Sequence, residues 1–500
     1  MTASARPLAE PPRRVSTGVE GLDDIIDGGF PQGHLYLLEG ETGTGKTTLG
    51  LQFLLEGVRH GERGLFITLS SSRQDIEEVA HSHGWSVASL AVCELLPSLA
   101  KLQPEEQDSI FHPAEMELED HSQAVRDVVV QHQPQRVVID SLSELRLLAT
   151  TPFLYRRQLL AWQQFFAERQ CTVLLLGEHV TESAPGVRSL AHGALYLERI
   201  NPDYGAVRRR LQVLKMRATS FRTGYHDYTI RRGGVVVYPR LVAVEHRRDF
   251  ALEPVPSGIA QLDALLGGGL ERGTSTLLTG PAGTGKSSIA LAFAAAAAQR
   301  GEDAVIYSFE EGQPTLLARA AALHIPLHDS LAAGRVRIEQ VDPAELLLGE
   351  FVQRVRRAVE QEQARVVVFD SVNGLLQALP GEQLLSVHFH ELLAFLNYQG
   401  VVTLLVLGYV GVLGDSVQGP INLSYLADTV VLLRYFETAG RIRRAISVVK
   451  KRGSAHEQTI REFQVGPERL EVGEPLTAFS GVLTGVPTYT GAEAQLSVPK

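Results

Sequence analysis

Two glycine-rich segments of this 500-residue chain have the composition of phosphate-binding loops. They read Gly40-Glu-Thr-Gly-Thr-Gly-Lys46-Thr47 and, one repeat later, Gly280-Pro-Ala-Gly-Thr-Gly-Lys286-Ser287. Consecutive backbone N–H groups of such a loop can bind the phosphates of a nucleotide, and the N-terminus of the following helix adds partial positive charge. The lysine would reach the β- and γ-phosphates, and the adjacent hydroxyl would bind Mg²⁺. An apolar strand precedes each loop and a helix follows, so we predict two nucleotide sites per chain.

Two aspartates stand at the ends of apolar strands that follow the loops. These strands read Arg136-Val-Val-Ile-Asp140 and Arg365-Val-Val-Val-Phe-Asp370. A carboxylate beside a phosphate-binding loop can hold a Mg²⁺-bound water, whereas a strand-end aspartate elsewhere often caps a turn. The two loops favour the Mg²⁺ interpretation. The predicted ATP ligands from the loops and the first strand end are Gly40, Thr42, Gly43, Thr44, Gly45, Lys46, Thr47, Thr48, Asp140, Gly280, Ala282, Gly283, Thr284, Gly285, Lys286, Ser287 and Ser288.

One pair of acids distinguishes the second repeat from the first. The strand after the second loop ends in Phe309-Glu310-Glu311, whereas its counterpart in the first repeat ends in Leu69-Ser70-Ser71. A carboxylate at this edge of a parallel sheet can orient or deprotonate the nucleophile that attacks a γ-phosphate, and a serine hydroxyl lacks the basicity to replace it. The alternative is a solvated pair of loop acids. The predicted catalytic residues are Lys286, Glu310, Glu311 and Asp370, and the predicted Mg²⁺ ligands are Thr47, Asp140, Ser287, Glu310 and Asp370.

A basic strand end recurs in both repeats. The two late strands read Arg209-Arg-Leu-Gln-Val-Leu-Lys215-Met-Arg217 and Arg443-Arg444-Ala-Ile-Ser-Val-Val-Lys450-Lys-Arg452. Strict alternation puts the terminal lysine and arginine on the same side as the apolar residues of each strand, which are Leu211 and Val213, and Ile446 and Val448. Such a tip could neutralise charge on a neighbouring γ-phosphate, as an arginine finger does, or could guard an edge strand. Spacing alone leaves both interpretations open.

The composition is that of an ordinary globular protein, with 44% hydrophobic and 21% charged residues. A net charge of −10, from 47 basic and 57 acidic residues, disfavours a protein that mainly coats nucleic acid, because that affinity rests on Lys and Arg. The N-terminus lacks a secretory signal, and the longest apolar run is too short to span a bilayer. Two cysteines, Cys93 and Cys171, are too few for a disulfide framework. We expect a cytoplasmic protein that does not bind a membrane.

The elements that carry these residues recur as a tandem duplication. Ser16-Thr-Gly-Val-Glu-Gly-Leu-Asp23 matches Pro256-Ser-Gly-Ile-Ala-Gln-Leu-Asp263 about one domain length later. Uninterrupted β-branched runs indicate strands that are buried on both faces, so we predict two α/β domains, each with a mostly parallel sheet and helices on both faces. The predicted divisions are an arm at 1–13, a first domain at 14–238, a linker at 239–250, a second domain at 251–475 and a tail at 476–500.

These motifs resemble those of the KaiC family of RecA-type ATPases, double-domain proteins best known from the circadian clock. The resemblance runs from about Val15 to the tail and is carried by the two loops, Phe309-Glu310-Glu311, Asp140-Ser141, Asp370-Ser371, 214–220 and the stretch from Asp428 to Phe463. It implies two tandem RecA-like P-loop NTPase domains that use ATP and Mg²⁺.

The resemblance also implies an assembly, a homohexamer of two stacked rings with ATP held between adjacent subunits. On this basis, basic and hydroxyl residues of the late strands reach the nucleotide of the neighbouring subunit. They are Lys215, Arg217 and Thr219 in the first repeat, and Arg444, Lys450, Arg452, Ser454 and His456 in the second. The resemblance thus favours the finger interpretation of these strand ends.

Members of this family phosphorylate hydroxyl residues of their own second domain, shortly before the Asp-Thr that opens the next strand. Here that segment is Asn422-Leu-Ser424-Tyr425-Leu-Ala-Asp428, so Ser424 matches one acceptor and Tyr425 replaces the other. The alternative is that Ser424 caps a turn or helix. Glu310 would take the proton of the acceptor. Because Ser70-Ser71 replaces the family's first pair of acids, the first ring is expected to bind ATP mainly to hold the assembly together.

The leading hypothesis is a KaiC-like ATPase and serine/threonine autokinase that signals to a partner protein, with the tail segment 481–491 as the candidate contact. One alternative is a RecA-type DNA-dependent motor. The dense basic spots, Arg208–Arg210 and Arg231-Arg232, lie beside predicted strands and not in aromatic-rich loops that would stack bases. Another alternative is an ATP-gated scaffold without catalysis.

Overall fold

The structure is a computed structural model that describes residues 13–95, 113–149, 151–178, 187–202, 205–377, 383–408, 423–438, 440–466, 470–482 and 488–489. The chain divides into two compact units. The first contains the described residues up to Arg240 together with Leu347–Glu350, and the second contains Leu241–Leu346 and the described residues from Phe351 onward.

A sheet of nine described strands forms the centre of the first unit, in the order β11-β10-β9-β8-β3-β7-β6-β4-β5. The pairs from β5 to β8 are parallel, and β8 to β11 form an antiparallel extension. The strands of this unit are β1 Arg14–Val15, β2 Phe30–Pro31, β3 Leu35–Gly40, β4 Gly64–Thr68, β5 Ala91–Glu94, β6 Arg136–Asp140, β7 Thr172–Gly177, β8 Gly193–Ile200, β9 Arg208–Met216, β10 Tyr225–Arg231 and β11 Gly234–Tyr238.

Helices cover both faces of this sheet. Strand β3 shows why, since its side chains alternate between two apolar clusters: Tyr36 and Leu38 pack with α2, and Leu35 and Leu37 pack with Trp162 of α6. The helices of this unit are α1 Leu22–Ile25, α2 Lys46–Arg59, α3 Arg73–Ser82, α4 Pro113–His132, α5 Leu142–Leu148, α6 Pro152–Glu168 and α7 Val187–Leu190.

The second unit repeats this topology with the strand order β16-β15-β17-β18-β14-β19-β20-β21-β22, again parallel up to β19 and antiparallel beyond it. Its strands are β12 Pro254–Val255, β13 Leu270–Glu271, β14 Ser275–Gly280, β15 Asp303–Ser308, β16 Val336–Gln340, β17 Ala364–Asp370, β18 Val402–Gly408, β19 Thr429–Thr438, β20 Arg441–Lys451, β21 Arg461–Val465, β22 Leu470–Pro475, β23 Phe479–Ser480 and β24 Thr488–Tyr489.

Helices also cover both faces of the second sheet. The alanine-rich α9 is apolar all round and is buried against one face with Leu278, whereas Phe351 of α12 and Phe389 of α14 pack on the other face beside Phe369. The helices are α8 Ala260–Leu265, α9 Lys286–Gln299, α10 Gln313–Ala322, α11 Leu327–Ala332, α12 Leu348–Glu360, α13 Val372–Gln377 and α14 Gln383–Tyr398. The predicted fold class, two α/β domains with mostly parallel sheets and helices on both faces, is confirmed.

The predicted linker and tail contain segments that contact the second unit. The 3₁₀ turn Ala243–His246 lies within the predicted linker, and His246 Nδ1 is 2.8 Å from Glu360 Oε1. In the predicted tail, Phe479 packs on Phe436, and Val482 is 1% exposed beside it. Residues 1–12 of the predicted arm and residues 483–487 and 490–500 of the tail lie outside the described residues.

Within the described part of the chain, no helix combines the length and the apolar character that a membrane crossing requires.

Candidate functional site

Each phosphate-binding loop joins the central strand of its sheet to a long helix. Gly45 and Gly285 stand at the N-caps of α2 and α9 with φ of 90° and 102°, a conformation that glycine adopts without strain. Space is also limited, because a Cβ atom on Gly45 would lie 2.5 Å from Ile230 Cδ1 and one on Gly285 would lie 2.7 Å from Phe463 Cε1. The antiparallel extension of each sheet thus packs against the base of its loop and holds the helix N-terminus in place.

The loop lysines bind the carbonyl groups at the start of their own loops. Lys46 Nζ donates to Gly40 O at 2.7 Å and to Glu41 O at 2.9 Å, and Lys286 Nζ donates to Gly280 O at 2.8 Å and to Pro281 O at 2.7 Å. Burial lowers the pKa of both amines, that of Lys286 to about 8. An incoming phosphate would supply a negative counter-charge beside these buried ammonium groups.

A hydroxyl and a carboxylate meet beside each loop. Thr47 Oγ1 donates to Asp140 Oδ2 at 2.7 Å, and Ser287 Oγ donates to Asp370 Oδ1 at 3.1 Å. Burial raises the pKa of both carboxyl groups, and the hydroxyl hydrogen bonds oppose that shift. Hydroxyl and carboxylate oxygens are ligands that Mg²⁺ accepts, and such sites complete their coordination with water and substrate phosphates. Each hydroxyl–carboxylate pair therefore fits the predicted Mg²⁺ ligands.

The two glutamates of the second repeat have different partners. Ser371 Oγ, on the residue after Asp370, donates to Glu310 Oε1 at 2.6 Å. Glu311 is turned toward α10, where Arg319 Nη2 lies 2.7 Å from its Oε2. The structure therefore brings Glu310 beside the aspartate of the site and engages Glu311 in an ion pair.

The first repeat keeps the backbone of this segment but not its acids. Ser308 Oγ donates to the carbonyl oxygen of Glu311 at 2.6 Å, and Thr68 Oγ1 donates in the same way to that of Ser71 at 2.8 Å. Val79 of α3 stands at the position of Arg319. The change between the repeats is thus confined to side chains, and it removes both carboxylates and the guanidinium that pairs with one of them.

The strict alternation that we predicted for the basic strand ends is wrong in both repeats. The register shifts between Ala194 and Leu195, opposite an extra residue in β9, which is a β-bulge. After the bulge, Met216 joins the core cluster of Leu211 and Val213, and Lys215 does not. The register of β19 and β20 shifts in the same way between Val430 and Val431, and there Lys451, with 1% of its side chain exposed, points inward.

The bulges direct the basic residues onto the segment before β8 or β19. Lys215 Nζ donates to the carbonyl oxygens of Arg188 and Ala191, and Lys450 Nζ donates to those of Ser424 and Ala427. The arginines repeat this correspondence, because Arg217 donates to Ser189 O at 2.6 Å and Arg452 donates to Tyr425 O at 3.0 Å. Both repeats therefore use a lysine and an arginine to hold the segment that in the second repeat contains Ser424, which is exposed.

The other predicted finger residues are placed differently. Arg444 Nε donates to Gly283 O of its own chain's loop at 3.2 Å, beside the hydroxyl of Tyr435, which donates to Ala282 O at 3.0 Å. Ser454 donates to Glu271. His456 is half-buried, and Thr219 Oγ1 is buried with no hydrogen-bond partner among the described residues.

Three functional candidates were missed from the sequence: Ser371, Arg319 and Tyr435. Comparison of the two repeats position by position carries a signal for one of them, because Val79 changes to Arg319 together with the change from serine to glutamate. Ser371 has a serine counterpart in Ser141, so no difference marks it. Tyr435 lies on β19 and reaches the loop only because the folded sheet brings this strand beside it.

Comparisons with known proteins match both repeats. The family model of the KaiC ATPase matches residues 15–242 and again residues 255–477. The chain is 28% identical to the circadian clock oscillator protein KaiC of Thermostichus vulcanus, over 98% of this chain and 94% of that protein. It is 27% identical to the circadian clock oscillator protein KaiC of Synechococcus elongatus, over 95% and 92% respectively. It is 26% identical to the circadian clock protein KaiC3 of a Synechocystis species, over 95% of each chain.

Proposed function

The chain belongs to the KaiC family of ATPases, and on this basis we propose that it is a cytoplasmic homohexameric ATPase and autokinase with unequal repeats. The second repeat transfers the γ-phosphate of ATP to water or to the hydroxyl of Ser424. The first repeat binds ATP without appreciable turnover. The observation that carries this proposal is the position of Glu310, beside Asp370 in the second repeat, where the first repeat has Ser70.

The second loop would orient ATP for this reaction. The N–H groups of residues 283–287 and the N-terminus of α9 bind the phosphates, and Lys286 exchanges its carbonyl partners for β- and γ-phosphate oxygens. Ser287 and Asp370 would hold Mg²⁺, which neutralises charge on the phosphates when it is bound. These groups position the γ-phosphate at the carboxyl ends of β15 and β17, where Glu310 lies.

Glu310 would act as the general base of the transfer. As the oxygen of water or of the Ser424 hydroxyl bonds to the γ-phosphorus, the bond from that phosphorus to the β–γ bridging oxygen breaks and ADP leaves. The proton of the attacking oxygen passes to the Glu310 carboxylate. The hydrogen bond from Ser371 orients this carboxylate before the nucleophile arrives.

Glu311 has a positioning role in this proposal. Its ion pair with Arg319 holds its side chain toward α10. Arg319 also favours the ionised form of Asp370, whose pKa is otherwise raised by burial and by the charge of the two glutamates. Arg319 thus helps to keep the proposed Mg²⁺ ligand deprotonated, and Glu311 opposes this effect.

The first repeat would stabilise the assembly by binding nucleotide. Its loop contains Lys46, Thr47 and Asp140 in the same arrangement as the second loop, so the groups that bind phosphate are in place. A ligand that binds only the assembled state stabilises that state by mass action and needs no hydrolysis. The basic strand ends, which hold equivalent segments in both repeats, would then face the nucleotide of an adjacent subunit in each ring. We further propose that a partner protein reads the state of the hexamer through the tail.

The alternative of a DNA-dependent motor has less support. Two of the five arginines on which it rested are paired with acids in the first unit, since Arg210 lies 2.9 Å from Glu198 and Arg231 lies 3.5 Å from Glu20. Arg210 also stacks over Tyr225, so a guanidinium group of the protein already covers one face of that ring. Paired guanidinium groups bind phosphate backbones less well than free ones.

Labelled phosphate should accumulate on Ser424 when the purified protein is incubated with γ-labelled ATP and Mg²⁺. The hydroxyl is exposed, and Lys450 and Arg452 hold the backbone around it. Peptide mapping by mass spectrometry should find the label on the segment around Ser424, and Ser424→Ala should remove it.

Two controls separate the hypotheses in this experiment. Tyr425→Phe tests the neighbouring hydroxyl and should leave the label in place. Turnover without label on Ser424 would rule out the kinase and leave a plain ATPase, and the absence of both would leave the scaffold.

Binding of ATP to the second loop should take up protons at alkaline pH. Burial lowers the pKa of Lys286 to about 8 in the free protein, and bound phosphate would restore the ammonium form. The affinity should therefore fall as pH rises through 8, with uptake of about half a proton per second-repeat site at that pH. Calorimetric titration at pH 8 in two buffers of different ionisation enthalpy measures this uptake. Lys286→Arg should reduce it, because arginine stays charged; an unchanged uptake would contradict the assignment.

A further inference from the structure

A polar cleft of about 520 Å³ opens in the second unit, at the edge of the sheet opposite the phosphate-binding loop. It lies where β15 and β17 begin, at Asp303 and Arg365, whereas the loop and Glu310 lie where these strands end. Six residues of extended strand separate the two edges by about 20 Å. The cleft is therefore a separate site, and no part of the proposed reaction uses it.

Four arginines line this cleft, and two of them have no carboxylate partner in the described contacts. Arg272 pairs with Glu302, and Arg335 Nη1 lies 2.9 Å from Asp303 Oδ1. Arg248 and Arg365 instead share one neutral acceptor, the side-chain oxygen of Gln363, at 3.4 Å and 2.7 Å. Asp249 is the remaining acid of the lining and is exposed.

The local field around Arg365 is positive. Burial lowers the pKa of its guanidinium, and the charges of Arg248 and Arg272 lower it further, whereas Glu302 opposes them. Guanidinium groups that converge on one neutral oxygen repel each other, and an anion between them would remove this repulsion. Their planar N–H donors match the oxygens of a phosphate group.

An aromatic ring forms another wall of the cleft. Phe250 lies over two glycines, and a Cβ atom would approach its ring to 2.4 Å from Gly273 and to 2.6 Å from Gly400. In the first repeat the positions of Gly400, Arg272 and Arg365 are occupied by Gln170, Gln32 and Gln135. There the Gln170 side chain lies over Gly33, where Phe250 lies over Gly273. In the described part of the first repeat, Arg272 and Arg365 thus have neutral counterparts, and a glutamine side chain stands where Gly400 leaves room for the ring.

We propose that this cleft is an additional anion site that binds a small phosphate-bearing molecule. Arg248 and Arg365 would bind the phosphate, and Phe250 would contact the remainder of the ligand. The volume of the cleft lies within the range of small-molecule sites in proteins. Because binding depends on charge in a partly open cleft, it should weaken as the salt concentration rises.

Binding of inorganic pyrophosphate to the full chain tests this proposal. The parent variant contains Lys46→Ala and Lys286→Ala, so that both phosphate-binding loops are weakened. Equilibrium dialysis against labelled pyrophosphate should detect one site per chain. Adding Arg248→Gln and Arg365→Gln should weaken this site at least about tenfold, the usual consequence of losing charge-assisted hydrogen bonds.

Arg247→Gln is the matched control, because Arg247 is an exposed neighbour outside the cleft lining. It should leave the affinity unchanged, and circular dichroism should show the same fold for every variant. The proposal is overturned if the parent shows no saturable site, if the double substitution has no effect, or if Arg247→Gln has an equal effect. Should the parent not fold, the wild-type chain should bind three pyrophosphates and the Arg248→Gln, Arg365→Gln chain two; two in both overturns the proposal.

Discussion

Replacing Glu310 with glutamine should lower phosphoryl transfer by the second repeat by about 10²-fold to 10⁴-fold, the usual contribution of a general base. Glutamine has the same shape, and its amide oxygen can still accept the hydrogen bond that Ser371 donates to Glu310 at 2.6 Å. Nucleotide binding should therefore be preserved while the proton acceptor is lost. Steady-state ATP turnover and the initial rate of label incorporation measure the loss, and nucleotide affinity is measured separately.

Two substitutions calibrate this result. Ser70→Ala changes the equivalent position of the first repeat and should leave turnover unchanged. Glu311→Gln breaks the ion pair with Arg319 and should have a smaller effect than Glu310→Gln. Because the charge of Glu311 raises the pKa of Asp370, its removal should move the acidic limb of the pH profile to lower pH. An unchanged rate in Glu310→Gln, or an equal loss in Ser70→Ala, would refute the assignment of the base to Glu310.

Lys286→Ala should abolish most of the ATP turnover, whereas Lys46→Ala should leave it largely intact and weaken assembly. The two lysines make equivalent contacts with their loops, so the substitutions remove the same phosphate contact from each repeat. We expect a loss of at least about 100-fold for Lys286→Ala, since this lysine stabilises charge on the transferred phosphate. Turnover assays and light scattering at graded ATP concentrations measure the two effects.

The expected effect of Lys46→Ala on assembly follows from the thermodynamic linkage between nucleotide binding and assembly. A nucleotide present at 100 times its dissociation constant stabilises the state that binds it by about 2.7 kcal/mol, so Lys46→Ala should require more ATP or more protein to form the oligomer. The opposite pattern, with turnover abolished by Lys46→Ala while hexamers persist, would show that the first repeat hydrolyses ATP despite Ser70 and Ser71.

The differences between the repeats form a consistent set. The first repeat has the loop lysine, the hydroxyl and the aspartate, which are the proposed nucleotide and Mg²⁺ ligands, and lacks both glutamates together with the arginine partner of one. The hydrogen bond from the Thr68 hydroxyl shows that the segment still folds in the same way. Loss of the proposed catalytic side chains on a retained backbone is the change expected if the first site binds ATP for structural reasons.

The parallel part of each sheet and the two glycine-rich loops could be predicted from the sequence. Runs such as Val137–Ile139 and Val366–Phe369 are apolar on both faces, and only a strand between two helical layers buries both faces. The loop motifs are contiguous, so the residues that bind phosphate are neighbours in the chain as well as in space. Local periodicity and local spacing carry that information fully.

Three features could not be predicted from the sequence: the direction of the basic strand ends, the choice of glutamate beside Asp370, and the position of the cleft in the second unit. A β-bulge has no characteristic amino-acid composition. The direction in which Lys215 and Lys450 point therefore depends on how β9 pairs with β8 and how β20 pairs with β19. Glu310 and Glu311 differ only through partners 61 and 8 residues away, Ser371 and Arg319. The cleft joins Arg248 and Arg365, which are more than 100 residues apart. Such contacts are determined by packing between distant segments, and no local pattern encodes them.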